Sequence, residues 1–387
     1  MADKFTETSS QSWGSRIMGS LAGIVIGLIL VPLAVILLWW NEGHAVQTAK
    51  ALKEGAATVV SVQADKLDSA NNKKLIHVTG KAVTEDVVRD PIFRISAPAL
   101  RLNRVMQMYQ WTEEKESKTT DKLGGGQETT ATYTYAKKWS DSVIDSSKFK
   151  HPGDHENPEQ MLATATTIDA DDVTLGAFTL SEQILSQMTG DEPLEVTEAD
   201  LKKLPGKLKS TAHLDTAGFY FGKDPDAPAI GDQKVSFKVL KPGVFSIIGA
   251  QTDSGIEPYL AKSGAEILLV ETDAVSPEMM FRHAESANTV LTWILRIVGF
   301  FVMFFGFALI LNLFSTLASV IPFLGDILGA GIAVASFLMA FALSLLVIAL
   351  AWLAYRPLFG GILILIAIGG FLLAKRIGSR KIAATTK

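Results

Sequence analysis

Four long runs of apolar residues divide the chain, one near the N-terminus and three crowded toward the C-terminus. They cover residues 17–40, 291–314, 329–354 and 357–374. A bilayer core of about 30 Å is crossed by about 20 apolar helical residues, and a helix satisfies every backbone hydrogen bond within one segment. The pattern therefore predicts four transmembrane helices, with a large aqueous domain over residues 41–290 between the first and the second.

Within the aqueous domain, apolar and polar residues alternate with the period of two that is typical of β-strands. Residues 75–80 form one predicted strand. Residues 104–112 and 129–139 form two more, joined by a glycine-containing linker as in a long antiparallel hairpin. A second hairpin is predicted for residues 234–240 and 244–251, because a Pro-Gly pair lies between them. The predicted fold class is an α+β membrane protein with a mainly antiparallel β domain.

One helix is expected to connect this domain to the membrane. Ser276 is a favourable N-cap before Pro277, and the helix can continue without interruption into the second apolar run. Such a helix would couple domain and membrane rigidly. Short helices are predicted at residues 181–188 and after Thr197, where Asp200 completes a pattern similar to a capping box.

Basic residues at the chain ends predict the orientation in the membrane. The tails at 1–16 and 375–387 both carry lysine and arginine, and basic tails are retained in the cytoplasm. Four spans place both tails on the same side, so the domain is predicted to be extracytoplasmic. Residues 315–328 then form a cytoplasmic connector, which is either an amphipathic helix on the membrane surface or an inward extension of the second span.

Aromatic residues support this orientation, because tryptophan and tyrosine prefer the membrane–water boundary. The residues predicted to lie at the outer interface are Trp39, Trp40, Trp293, Arg296, Trp352, Tyr355 and Arg356. Arg296 lies one helical turn inside the second span, where its side chain either snorkels to the headgroups or pairs with another group. The predicted spans contain no Asp or Glu, which argues against such a pair and against a channel or transporter.

Composition and motifs indicate no particular chemistry. The net charge of −4 gives no indication of nucleic-acid binding, and a chain without cysteine has no disulfides or thiolate metal sites. The signatures of serine hydrolases, P-loop proteins, zinc proteases and dinucleotide-binding proteins are absent. His151 and His155 are weak candidates for a metal site, but Pro152 and Gly153 between them favour a solvated loop. No catalytic residue and no cofactor is predicted.

Several short motifs resemble the LUMA family (transmembrane protein 43). The most extensive are Trp40-Asn41-Glu42-Gly43, Met108-Tyr109-Gln110-Trp111 and Tyr355-Arg356-Pro357-Leu358, and further matches follow in order along nearly the whole chain. The resemblance implies four spans and a large loop outside the cytoplasm. It also implies self-association, a role in organising membrane protein complexes, and no established catalytic residues.

The compartment depends on the source. Eukaryotic members of the family reside in the endoplasmic reticulum and the inner nuclear membrane, which would make the domain lumenal. The absence of cysteine and the divergence of the sequence are compatible with a bacterial member, in which the domain would be periplasmic on the inner membrane.

The leading hypothesis is a non-enzymatic membrane scaffold whose partners are the lipid bilayer, further copies of the chain and other membrane proteins. Small residues in the spans allow close helix association in lipid; they are Gly299, Gly306, Gly329, Gly331 and Gly361. Two alternatives stay open. One is an envelope-stress or lipid-binding module that holds an apolar ligand in its sheet, and the other is a metal-dependent enzyme or sensor that uses the histidine loop.

Overall fold

The computed structural model describes residues 3–215 and 217–356. In this part of the chain, three helices are long and apolar enough to cross a membrane, whereas the sequence predicts four spans. The fourth predicted span at 357–374, the basic tail at 375–387 and Gly361 lie outside the described residues.

The described residues form six α-helices and nineteen strands. The helices are α1 Trp13–Thr58, α2 Glu182–Gln187, α3 Glu198–Lys203, α4 Gly206–Lys209, α5 Pro277–Ala318 and α6 Pro322–Tyr355. The strands are β1 Asp3–Gln11, β2 Val60–Gln63, β3 Leu75–Val83, β4 Val88–Arg89, β5 Ser96–Ala97, β6 Arg101–Asp121, β7 Gln127–Ser140, β8 Thr166–Asp169, β9 Thr174–Leu175, β10 Phe178–Thr179, β11 Glu192–Pro193, β12 Ala212–Asp215, β13 Gly218–Phe221, β14 Gln233–Leu240, β15 Gly243–Gln251, β16 Ile256–Glu257, β17 Tyr259–Leu260, β18 Glu266–Ile267 and β19 Leu269–Thr272.

The two longest helices, α1 and α5, run without a break from the aqueous domain into the apolar bundle. The predicted continuous helix after Ser276 is confirmed, and the Ser276 hydroxyl accepts a hydrogen bond from the Met279 amide at 3.4 Å. The first helix continues to Thr58 rather than ending at residue 40, because Ala51, Leu52 and Gly55 bury one face against the domain. Between α5 and α6 only three residues separate Ala318 from Pro322, which leaves no room for a separate surface helix.

Two sheets pack face to face to form the domain. The larger sheet has the strand order β1-β7-β6-β14-β13-β12, and the smaller has the order β10-β9-β3-β15-β16. The main core lies between them, with Phe219 and Phe237 from the larger sheet and Ile76 and Phe245 from the smaller sheet fully or almost fully buried. The prediction of a mainly antiparallel domain is confirmed, since β2–β3 is the one parallel pair among the named strands.

The two predicted hairpins differ in outcome. The hairpin of β6 and β7 is confirmed, and it is longer than predicted, with registered pairs from Met108–Ser140 to Asp121–Gln127. The second hairpin is wrong, although both of its strands exist. β14 pairs with β6 and β13, whereas β15 pairs with β3, β16 and β19. The Pro-Gly link therefore turns the chain from one sheet to the other, and each strand finds a distant partner.

An unforeseen strand, β1, forms the edge of the larger sheet. It pairs with β7 along its whole length, from Asp3–Tyr135 to Gln11–Gln127. Together with β7 and the outer part of β6, it makes an arm whose tip reaches the far end of the helices. There, Arg16 Nη1 donates to the Gly125 carbonyl at 2.7 Å, and the Gly124 amide donates to the Val320 carbonyl at 3.1 Å.

This pairing does not agree with the predicted topology. Hydrogen-bonded strands lie in one compartment, whereas the sequence analysis assigns residues 1–16 to the cytoplasm and residues 127–135, within the domain, to the opposite side. The tail was assigned by its charges, which carry no information about strand partners. The sidedness of both segments stays a prediction, and a crosslink can decide whether they lie on the same side.

Disulfide formation between Ser9→Cys and Thr129→Cys tests the arm, because the natural chain has no cysteine. These residues are register partners in β1 and β7, so we expect efficient crosslinking in native membranes under mild oxidation. The matched control is Ser9→Cys with Thr119→Cys. Thr119 lies on β6, which pairs with the edge of β7 opposite β1, and its register partner is also Thr129. It is therefore about 10 Å from Ser9, which is beyond disulfide reach. Equal yields, or no crosslink in the first pair, would contradict the arm.

Candidate functional site at the junction of domain and helices

A buried ion pair joins the three long helices where they leave the domain. The Glu42 carboxylate on α1 accepts hydrogen bonds from Arg296 on α5, at 2.6 Å from Nε and 2.9 Å from Nη2. Trp352 on α6 donates its indole N–H to the same carboxylate at 2.7 Å. One side chain from each helix therefore meets at a single point.

The geometry of this cluster accounts for how a charge is accommodated there. The Glu42 side chain is 1% exposed and that of Arg296 is 16% exposed. A carboxylate so deeply buried requires a compensating charge and hydrogen-bond donors, and the guanidinium supplies both in the bidentate arrangement that arginine favours. The Arg296 guanidinium also lies 4.8 Å from the Trp293 ring centre and 5.8 Å from that of Trp352, which adds cation–π attraction.

Two further polar contacts extend the junction along α1 and α5. The Asn41 side-chain amide donates to the Thr292 carbonyl at 3.1 Å, and that of Asn288 donates to the Ala45 carbonyl at 3.1 Å. Both bonds cross between the helices. They fix the register of α1 against α5 next to the ion pair, so the junction resists sliding as well as separation.

The structure brings the predicted interface residues to one level of the helix bundle. Trp39 packs against Tyr355 at 5.9 Å between ring centres, and the Arg356 guanidinium lies 5.8 Å from the Trp352 ring. Tyr355 also covers Gly43, where an added Cβ would lie 2.7 Å from the Tyr355 ring. Trp40 instead stacks on His44 at 5.1 Å. That this level coincides with a membrane interface stays a prediction.

Glu42 is not among the predicted site residues, and the prediction for Arg296 is wrong in part. The predicted spans contain no acidic partner for Arg296, because Glu42 lies two residues beyond the end of the first span. Arg296 is paired with a carboxylate rather than left to snorkel alone. The continuity of helix-forming residues through residue 42 was the signal available, because a helix that continues past the membrane boundary carries its next side chains onto the same face.

The histidine loop packs as part of the arm. The His155 ring stacks on Tyr135 at 3.8 Å, its Nδ1 lies 2.9 Å from the His151 carbonyl, and its Nε2 lies 3.4 Å from the Asp3 carboxylate. His151 contacts Phe5 at 3.6 Å between ring centres. The two imidazoles thus have separate neighbours. Among the described residues, no group of three or more His, Asp or Glu side chains is placed to hold a metal ion.

Tyr135 links this loop to the hairpin. Its hydroxyl donates to the Glu113 carboxylate at 2.6 Å and accepts from the His151 amide at 3.1 Å. Burial, assisted by the hydrogen bond to Glu113, raises the pKa of Tyr135 to about 12. The phenol therefore stays protonated at neutral pH and acts as a fixed structural donor.

Comparison with known proteins identifies the family. Residues 108–357, more than half of the chain, match the family described as Transmembrane protein 43. The chain belongs to this family. It is 30% identical to Transmembrane protein 43 of Rattus norvegicus, over 98% of this chain and 96% of the relative. It is also 30% identical to Transmembrane protein 43 of Homo sapiens, over 97% and 96%, and 28% identical to the Transmembrane protein 43 homolog of Drosophila melanogaster, over 88% and 91%. No solved structure matches the chain.

The family region includes Arg296 and Trp352, and the longer alignments to the mammalian relatives take in nearly the whole of this family member. The family membership that the motifs indicated is therefore confirmed, and the protein is a membrane protein. The names of the relatives assign no catalytic activity and no partner.

A buried histidine beside the start of α5 makes the stability of the protein sensitive to pH. His77 Nε2 lies 3.0 Å from the Val275 carbonyl, and Nδ1 lies 3.3 Å from the Ser61 hydroxyl. Burial lowers the pKa of His77, against the opposing effects of the Val275 hydrogen bond and the Glu278 charge. Protonation therefore favours the unfolded chain, in which the pKa is near its ordinary value. Stability is complete above that pKa and decreases as the pH falls below it.

We expect the thermal unfolding midpoint of the protein to fall as the pH is lowered from about 7.5 to about 5, the range in which histidine titrates. In His77→Gln the decrease should be smaller, because the substituted side chain does not ionise. His213→Gln, at an exposed position on β12, is the control and should behave as the parent does. Identical pH profiles for the parent and His77→Gln would contradict this assignment.

Proposed function

We propose that this family member is a non-enzymatic multi-pass membrane scaffold, which self-associates and organises membrane protein complexes through its extracytoplasmic domain. The observation that supports this best is the junction. Helices α1 and α5 run unbroken from domain to bundle, and Glu42, Arg296 and Trp352 lock them to α6. A partner bound to the domain would therefore be held in a fixed position relative to the spans.

The polar side chains of the junction also favour a structural role. The Glu42 carboxylate, the Arg296 guanidinium and the Trp352 indole satisfy one another. Groups that act on a substrate need a face that is free to contact it. A cluster whose members hydrogen-bond to one another across three helices instead typically fixes the positions of those helices.

The glycines expected to drive association divide into two sets. Gly299 and Gly306 serve packing within the chain, because an added Cβ would lie 2.6 Å from Leu38 and 2.8 Å from Val31 of α1. Among the described residues, an added Cβ at Gly331 on α6 would meet no neighbour within 4 Å. Gly331 lies on a face of α6 that no other described residue covers there, which leaves room for the backbone of another helix to approach. The proposal places self-association on this face.

Native mass spectrometry of the full chain in nanodiscs tests the proposal. We expect an oligomer for the parent and a shift toward monomer for Gly331→Leu, because a large side chain prevents close approach of a second helix. Gly19→Leu is the matched control, since an added Cβ at Gly19 on α1 also meets no described residue within 4 Å, and this variant should stay oligomeric. A parent that is monomeric at all concentrations would overturn the proposal.

The proposed compartment follows the alternatives set by the sequence. In a eukaryotic host the protein would reside in the endoplasmic reticulum or the inner nuclear membrane, with its domain on the lumenal side. In a bacterial host the domain would face the periplasm. Leu260 is 67% exposed on the domain, so Leu260→Cys provides a single label site. A membrane-impermeant thiol reagent should label it from the extracytoplasmic side only, and labelling from the cytoplasm would contradict this orientation.

A further inference from the structure

Two cavities adjoin at the junction, where they share lining residues, and together they are named the groove here. The first, of about 370 Å³, opens where α1, α5 and α6 converge, and its lining includes Glu285, Asn288 and Arg356. The second, of about 340 Å³, lies between α5 and α6 and is lined almost wholly by apolar side chains. Both contain Trp293 and Arg296 in their walls. The groove is therefore polar at the level of the predicted outer interface and apolar along the bundle below it.

The lower part is shaped by aromatic and aliphatic residues. Its lining includes Phe300, Phe301, Phe337, Phe341, Leu345 and Ile348. Phe300 meets Phe337 edge-on at 5.3 Å, and Phe337 stacks on Phe341 at 6.2 Å. These contacts order the aromatic rings along the helix direction, and the apolar lining is suited to a hydrocarbon chain.

The charges of the upper part are balanced and separated. Arg296 is neutralised by Glu42, which leaves Arg356 as the cation and Glu285 as the anion of the lining. Neither Arg356 nor Glu285 forms an ion pair within the described residues. A ligand that complements this cavity carries both a phosphate, which arginine binds well, and an ammonium group that can donate hydrogen bonds to a carboxylate.

We propose that this groove binds one phospholipid of the phosphatidylethanolamine type. Its phosphate lies at Arg356, its primary ammonium lies at Glu285, and one acyl chain lies in the apolar groove between α5 and α6. A quaternary ammonium has no N–H to donate to Glu285, and a glycerol headgroup has no positive charge to offer it. The site therefore distinguishes ethanolamine lipids from choline and glycerol lipids. The proposal is independent of the scaffold role.

Native mass spectrometry of the full chain tests this proposal. The protein is released from nanodiscs that contain equal amounts of phosphatidylethanolamine, phosphatidylcholine and phosphatidylglycerol. We expect one ethanolamine lipid to be retained at collision energies that remove the other lipids. Arg356→Gln should weaken retention of every phospholipid by about tenfold, the effect of losing one charge-assisted hydrogen bond. Glu285→Gln should remove the preference for ethanolamine while leaving one lipid bound.

Matched controls separate the site from general lipid contact. Arg282→Gln changes an exposed arginine one turn before Glu285 and should retain lipid as the parent does. Ile297→Trp fills the apolar groove, whereas Ile294→Trp places the same bulk on the exposed surface of α5, outside the groove; only the first should lose the lipid. Loss of all lipids together, equal retention of the three classes, or a groove filled by another part of the chain or by a second copy would overturn the proposal.

Discussion

Replacing Arg296 with methionine should destabilise the helix bundle by about 3–5 kcal/mol, the range measured when one member of a buried ion pair is removed. The substitution keeps most of the side-chain volume, so the main effect is electrostatic. It leaves the Glu42 carboxylate buried with the Trp352 N–H as its remaining donor. The free energy of unfolding, measured by steric trapping in bicelles, gives the magnitude directly.

The second member of the pair provides the decisive control. In Glu42→Gln/Arg296→Met no charge is left in the junction, and Trp352 keeps an oxygen acceptor, so we expect the double variant to be more stable than Arg296→Met alone. Arg282→Met removes an exposed arginine of the same helix and should change stability by less than about 0.5 kcal/mol. If Arg296→Met matched this exposed control, the ion pair would not be what holds the helices together.

Gly27→Leu should separate α1 from α5 in the middle of the bundle. An added Cβ at Gly27 would lie 2.5 Å from the Gly306 carbonyl oxygen and 2.7 Å from Ile310 Cγ1. The first neighbour is backbone and cannot turn aside, so the helices must move apart and lose their close contact. Overpacking of this kind costs about 1–3 kcal/mol or more. Steric trapping should therefore show a clear loss of stability.

Gly19→Leu is the matched substitution on the same helix. Within residues 3–215 and 217–356, nothing lies within 4 Å of a Cβ at Gly19, so the free energy of unfolding should stay near that of the parent. The two variants have the same change in composition and hydropathy. A similar loss in both would show that leucine affects α1 through some property other than its contact with α5.

The sequence predicts those features that depend on local patterns. Ser276 before Pro277 marks the start of α5 because capping is decided within four residues, and the capping box of Thr197 and Asp200 is present for the same reason. The alternation in β6 and β7 identifies a hairpin whose strands are close in the chain. In these cases the residues that determine the structure are also neighbours in sequence.

Features that depend on distant partners were missed or assigned wrongly. β14 and β15 have the pattern and the turn residues of a hairpin, yet each pairs in a different sheet, because the partners that bury its face come from elsewhere in the chain. β1 carries few apolar residues, and its pairing with β7 gives no signal in its own composition. Glu42 was overlooked because its role appears only when α5 and α6 are placed beside it.

The ion pair also sets a condition on biosynthesis. Glu42 precedes Arg296 by 254 residues and Trp352 by 310. Translation usually proceeds at roughly 5–20 residues per second, so roughly 10–50 s pass between the synthesis of Glu42 and that of Arg296. Throughout that interval the nascent chain exposes an acid beside its first apolar helix. A chain that ends before residue 296 keeps that acid uncompensated, and incomplete products therefore differ chemically from finished ones at the surface of the bilayer.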